Sequence, residues 1–266
     1  MDDLITDFGV IIALLIVTSI IFILYIFFSG ILHIFLYTFK KKHEYKRIQK
    51  KQSNKIKIQN EIKNSFSSAI VFGCVGVITI LLRDHGFTQM YANVNDFGVL
   101  YFIISILAML LIHDTYFYWM HRVIHHPKLF VIFHKIHHQS RNPTPFSAFS
   151  FDIAEAIAEA AIIPILALIL PVHPIAIFVF FTISLGFNVM EHSGYEFLPS
   201  WFITHPILKW INTSTHHNMH HEKGNSNYGL YFNFWDTFMK TNHKYYHKRF
   251  YEIVTKNKTK KYTVFI

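Results

Sequence analysis

The chain reads as an all-α, polytopic membrane protein of about four to five transmembrane helices, two of them paired as a short helical hairpin, with a histidine-rich cap on one membrane face. Three observations predict this. Hydrophobic residues make up 52% of the 266 residues and charged residues only 15%, too apolar for an ordinary water-soluble fold. The apolar residues fall in long runs separated by polar or basic segments. The 19 histidines are bunched behind those runs rather than spread along the chain.

Residues 1–7 carry three Asp and no Lys or Arg, and residues 8–39 are almost wholly apolar. A cleavable leader wants a basic start and a shorter apolar core, so this run is read as a membrane anchor. At about 1.5 Å per residue it exceeds one perpendicular crossing, which implies either one tilted helix or a span to Phe28 followed by an interfacial piece after Gly30. Residues 40–63 hold ten of the 25 Lys and Arg and are expected to be helical and cytoplasmic. Residues 65–82 form the second apolar run, 83–96 a polar loop, and 97–112 a third run that leads without a breaker into the first histidines. Residues 141–145 are a loop by composition. Residues 153–170 and 175–189, joined across Pro171 and Pro174, are each barely long enough to span, hence the hairpin. Trp201 and Trp210 are interface aromatics. The tail from Lys240 holds eight more basic residues and no apolar run. The implied units are 1–64, an anchor with its basic segment; 65–241, the body that carries the chemistry; and 242–266, a basic tail.

The net charge of +9 is concentrated beside the spans, as expected of a solvated cytoplasmic surface, and no nucleic-acid-binding motif is present. With residues 40–63 in the cytoplasm, counting spans returns every histidine cluster to that same face. The one cysteine, Cys74, allows no intrachain disulfide and excludes cysteine-rich metal sites.

Seven histidines lie between His113 and His138. His121 and His125 are four apart. His134, His137 and His138 stand at i, i+3 and i+4, a spacing repeated at His217, His220 and His221; on a helix such residues share one side about a turn apart. His192 lies in Glu-His-Ser-Gly-Tyr-Glu. His113 is eight residues before His121, roughly 80° round the same helix. Neutral imidazole is a general ligand for transition metals. His113, His121, His125, His134, His137, His138, His192, His217, His220 and His221 are too many for one ion and suit two. Ligand rings need partners that orient them, and Asp114, Glu191 and Asp236 are the nearby carboxylates. His126, His205 and His216 adjoin the boxes without partner spacing of their own. Two metals beside an apolar cavity at a membrane surface suit oxygen activation against a lipid C–H bond. A non-enzymatic metal-binding protein or metal transporter is the alternative, but a transporter places ligands near the bilayer midplane. A zinc lipid hydrolase lacks its HExxH or GxSxG motif.

The run from His113 through His121-Arg122 to His125, the two HxxHH boxes, the Glu191–Glu196 segment, Asn227-Tyr228-Gly229 and Trp235-Asp236 together resemble the fatty acid hydroxylase/sterol desaturase superfamily. The resemblance covers residues 97–241. It implies a non-haem di-iron enzyme of the bacterial inner membrane or endoplasmic reticulum. Such enzymes use O2, and electrons from a separate cytochrome b5 or ferredoxin type carrier, to hydroxylate or desaturate lipids. By that match His121, His125, His134, His137, His138, His192, His217, His220 and His221 take the ligand role, and no side chain is assigned as a general base. Phe117 stands where one branch of the family has a further His, and Asn188 where another has one.

Overall fold

The computed structural model describes residues 4–39, 44–50 and 53–262. Eleven α-helices are described: α1 (Leu4–Thr38), α2 (Lys55–Asp84), α3 (Gly98–Ile124), α4 (Pro127–Phe133), α5 (Lys135–His138), α6 (Ile153–Ala160), α7 (Ile162–Ile169), α8 (Pro174–Glu191), α9 (Ser214–Lys223), α10 (Phe234–Phe238) and α11 (Tyr246–Tyr262). Among the described residues there is no β-strand, only two isolated bridges. Helices α1, α2, α3 and α8 are long and apolar enough to cross a membrane, and their outward side chains, such as Ile11, Leu15, Ile23 and Leu100, are exposed as lipid contact requires.

Beyond a kink at Gly9, its one non-helical residue, the first apolar run is a single helix that continues through Gly30. Helix α1 lies close along α2, because a Cβ at Gly73 would collide with Thr18 and one at Gly76 would press on Val17; small residues let membrane helices approach in this way. The connector differs from expectation. Residues 44–46 form a 3-10 turn, 47–50 and 53–54 are non-helical, and α2 begins only at Lys55, where the Asn54 side chain caps the Lys57 N–H at 2.8 Å. The remainder of the basic stretch, residues 40–43 and 51–52, lies outside the described residues.

The first arm of the expected hairpin is broken at Ala161 into α6 and α7. Pro164 explains the break: it has no N–H to give the Ala160 carbonyl. The second arm is the full helix α8, started by Pro174 and by the His173 ring accepting the Ile175 N–H at 3.1 Å.

The bundle has two distinct ends. At one, Gln89 N–H bonds the Ala167 carbonyl of α7 and Tyr91 N–H the Val172 carbonyl, tying the 85–97 loop to α7 and the turn before α8, and Tyr101 of α3 bonds the Pro171 carbonyl in that turn. At the other, the connector is laced to the loops that carry histidines. Ile48 N–H donates to Gly194 O at 2.9 Å, Gln49 to Pro143 O at 2.8 Å and Lys46 to Phe197 O at 2.9 Å. The C-termini of α3 and α8, and all of α5 and α9, belong to this end.

Buried Glu61 of α2 holds the 140–144 loop there. It accepts Ser140 Oγ at 2.7 Å and Thr144 Oγ1 at 2.5 Å, with Lys57 Nζ at 3.6 Å. Glu61→Ala leaves two buried hydroxyls without an acceptor. It is expected to destabilise the protein by ~1–3 kcal/mol, read as a drop of a few degrees in the thermal midpoint in detergent.

Candidate metal centre

Helix α3 ends at the site, presenting His121 in its last turn and His125 at its C-cap. The next box is not a continuous helix: His134 sits at the hinge between α4 and α5, with φ −137. The third box is one helix, α9, begun by the Thr213 hydroxyl accepting the His216 N–H and ended by Gly224 at φ 73. His192 caps the C-terminus of α8.

The structure brings nine of the ten expected histidines into two groups that could each hold a metal ion: His121, His125, His134, His138 and His220 in one, His137, His192, His217 and His221 in the other. The groups are adjacent, since the His137 and His221 rings lie 4.7 Å apart and the His138 and His221 rings 4.8 Å apart. His113 stands outside both, with its Nδ1 2.8 Å from the Tyr231 hydroxyl.

Each HxxHH box serves both groups. His134 and His138 go to the five-membered group and His137 to the other; His217 and His221 go to the four-membered group and His220 to the first. Residues four apart share a helix face, while the residue between them points about 60–100° away.

The ring nitrogens meet edge to edge. His192 Nε2 is 3.1 Å from both His217 Nε2 and His221 Nε2, which are themselves 3.1 Å apart, and 3.3 Å from His137 Nε2. In the other group His220 Nε2 is 3.0 Å from His125 Nε2 and His138 Nε2, and His121 Nε2 is 3.0 Å from His134 Nε2.

The opposite nitrogens decide what these contacts are. His121 Nδ1 faces the Tyr228 carbonyl at 2.8 Å, His192 Nδ1 the Asn188 carbonyl at 2.8 Å, His220 Nδ1 the Ser226 carbonyl at 2.7 Å and His137 Nδ1 the Ser150 carbonyl at 3.3 Å. A carbonyl only accepts, so those Nδ1 atoms carry the proton and their Nε2 atoms turn bare lone pairs inward. Lone pairs crowded at this distance repel unless a cation lies between them. Around an ion with bonds of about 2.1 Å, neighbouring octahedral ligands stand ~3.0 Å apart, so the donor set fits metal. Outward hydrogen bonding from the second nitrogen is also how metal-bound imidazoles are oriented.

Asp236 and Asp114 act through backbone. Asp236 accepts Tyr228 N–H at 3.0 Å and Gly229 N–H at 2.8 Å, fixing the loop whose Tyr228 carbonyl orients His121. Asp114 accepts Tyr231 N–H at 2.7 Å and Phe232 N–H at 3.1 Å, holding the same segment further along. Glu191 is fully buried, and both its carboxylate oxygens lack a hydrogen-bond partner. Glu155 was not singled out by the sequence reading. It lies 2.6 Å from His134 Nδ1, and its only sequence signal was a carboxylate inside an apolar run.

Burial is the main cause that keeps these rings uncharged. It drives His134, His137, His217 and His221 well below the usual imidazole range, with neighbouring imidazoles adding to it. His192 and His220 come down to about 4, burial outweighing the carbonyls that accept from them. Uncharged rings are the form that binds metal.

Two spaces adjoin the groups. An open depression of about 740 Å³ is lined by His125, His138 and His221 with Lys135, Arg141 and Lys223. On the membrane side a narrow cleft of about 40 Å³ runs among Phe72, Phe117, Phe149, Phe151 and Phe180. It is joined to the groups by ring contacts of Phe117 with His121 at 4.8 Å and of Phe151 with His137 at 5.3 Å.

The fatty acid hydroxylase family model matches residues 106–241, which include all nine grouped histidines. Lathosterol oxidase of Rattus norvegicus is 28% identical over 228 residues, covering 85% of this chain and 73% of that protein. A Delta(7)-sterol 5(6)-desaturase of Schizosaccharomyces pombe is 30% identical over 156 residues, 59% of this chain and 49% of that one. Cholesterol 25-hydroxylase of Mus musculus is 33% identical over 140 residues, 51% of this chain and 46% of that one. No solved structure matches the chain.

The titration has a stability consequence. An unfolded chain takes up protons on these histidines from about pH 6.5 downward, whereas folded His192 and His220 resist until about 4. The unfolded state therefore binds more protons in that window, and stability falls as pH falls through it. Chelator-treated protein in detergent is expected to hold its thermal midpoint above pH 7 and lose it progressively from about 6.5 to about 4; a flat profile would contradict neutral buried rings.

Proposed function

We propose, from the premise that the chain belongs to the fatty acid hydroxylase family, that this integral membrane oxidoreductase is a di-iron enzyme that uses O2 to hydroxylate or desaturate a lipid of the sterol class. The observation that carries this is the meeting of nine imidazoles in two adjacent groups at one end of a membrane bundle. Residues 65–241 form the catalytic domain. The nine grouped histidines are assigned as ligands, with Glu155 and the Tyr228, Asn188, Ser150 and Ser226 carbonyls keeping their rings in place. Two iron ions held there supply the activation of O2 against an unreactive C–H bond.

The chain's own residues do the rest. Outward Nδ1 bonds to backbone carbonyls keep the proton of His121, His137, His192 and His220 on the far side of the ring, so their inward nitrogens stay free to bind metal. The phenylalanine lining of the narrow cleft suits the apolar part of a lipid, which enters as those rings part, and keeps water from that side of the centre. The sterol-oxidising relatives favour such a substrate. The basic rim of Lys135, Arg141 and Lys223 faces water, where a separate electron carrier of the cytochrome b5 or ferredoxin type has access to His138 and His221. The connector with its lysines lies at this same end, which supports a cytoplasmic active site by the positive-inside rule. Ligands at the end of a bundle, rather than on broken helices at mid-membrane, also favour catalysis over transport.

Purified protein is expected to carry about two iron atoms per chain. His137→Ala and His220→Ala, one from each group, each lower that content and abolish oxidation of sterols by membranes supplied with NADPH and reductase. Glu155→Ala weakens iron retention by roughly 10- to 100-fold. Iron-free protein, or full oxidation in the His137→Ala/His220→Ala double variant, would overturn the reading.

A further inference from the structure

His113 is buried on α3 in the wall of the cleft, eight residues and so about 12 Å of helix before His121. Its Nδ1 meets the Tyr231 hydroxyl at 2.8 Å, and its Nε2 has no partner. The ring is not free to turn away. Phe117 and Phe180 stand edge-on to it at 6.2 and 5.3 Å, and Tyr231 is held through its backbone N–H by Asp114 at 2.7 Å. Glu159, buried on α6, lines the same cleft, as does Ser184 of α8. An otherwise aromatic cleft thus carries a polar station two helical turns from the imidazole groups. A lone buried ring nitrogen is costly to leave unmatched, so a purely structural ring would be satisfied or replaced by an apolar one.

We propose that His113 and Glu159 clamp a hydroxyl group of the lipid substrate at the end of the cleft away from the metal ligands. The inference rests on the cleft being the substrate's, as argued above. The chemistry selects an alcohol. In the tautomer where the Tyr231 hydroxyl donates to His113 Nδ1, Nε2–H is a donor, and the Glu159 carboxyl offers an acceptor. An alcohol both accepts and donates at one oxygen and satisfies the two together. A hydrocarbon end would leave both His113 Nε2 and the Glu159 carboxyl unmatched. The clamp sets depth: with the oxygen held, the chain of carbons toward His121 and His137 is placed in a fixed register before oxidation, the role of a positioning site.

The test uses the full chain in phosphatidylcholine nanodiscs and two probe pairs, cholesterol with cholest-5-ene and 1-hexadecanol with hexadecane. Binding is read by competition and iron by elemental analysis of the same samples. Wild type is expected to prefer the alcohol of at least one pair by about tenfold or more. His113→Phe and Glu159→Leu bring that pair within about twofold while keeping wild-type iron content, and His113→Gln, which retains a donor, restores part of the preference. Equal binding within both pairs by wild type overturns the inference, as does an alcohol preference that survives both apolar substitutions. Iron-free wild type that still prefers the alcohol would instead overturn the di-iron reading and leave the clamp standing.

Discussion

The crowding of bare imidazole nitrogens is the constraint from which the rest of the structure follows. A ring can point a lone pair at its neighbours when something outside it holds its proton. For His121, His192, His137 and His220 that something is backbone, the carbonyls of Tyr228, Asn188, Ser150 and Ser226, and for His134 it is Glu155. The carbonyls must then be immobile themselves, which accounts for an otherwise odd set of buried carboxylates. Asp236 and Asp114 each accept two backbone N–H groups of the 228–232 segment. Glu196 accepts Thr215 N–H and Oγ1 at the start of α9. Each acid secures loop backbone, and the loop backbone aims the rings.

Membrane packing supplies the frame on which this is built. Helices α1 and α2 approach closely at Gly73, and both reach the 145–149 turn: Tyr25 donates to Phe146 O at 2.8 Å, Ser29 to Pro145 O at 2.9 Å and Ser65 to Phe146 O at 3.3 Å. That turn leads directly to Ser150, whose carbonyl orients His137, and on to Glu155 beside His134. The N-terminal anchor is therefore coupled to the centre through backbone, although it lies before the matched family region.

Much of this was legible in the residues. Long apolar runs mark the spans because a bilayer demands about 20 apolar residues per helix, and the i, i+3, i+4 histidines mark the boxes because helical phase brings them to one side. What was hidden has physical reasons. A backbone carbonyl has no residue signature, so Tyr228 O and Ser226 O could not be read as ring orienters. Glu155 stands 21 residues after His134, and only packing of α6 on the 134–138 hinge brings them together. His113 shares a helix with His121 and lies about 80° round it. Spacing left its role open, and the turn of α3 takes it to Tyr231 and the cleft. The helix breaks at Ala161 and His134 were likewise local: Pro164 signalled the first, while nothing in Phe-His-Lys signalled the second.

The division of each box between the two groups carries a stronger implication than proximity. His137 and His138 are adjacent in sequence and so diverge by about 100° on a helical turn, and His220 and His221 do the same. A ring of one group and a ring of the other are thus bonded neighbours twice over, on two elements that the chain reaches some 80 residues apart. Neither group can be completed by one box, and neither box can be placed without shaping both groups. The spacing between the two sites is therefore set by helical geometry itself, at the width of one turn of α5 facing one turn of α9. The variable parts of the site are left to the surrounding loops and the cleft. A scaffold that fixes both histidine groups this rigidly leaves the cleft free to vary, since residues such as His113 and Glu159 line it and lie outside both groups.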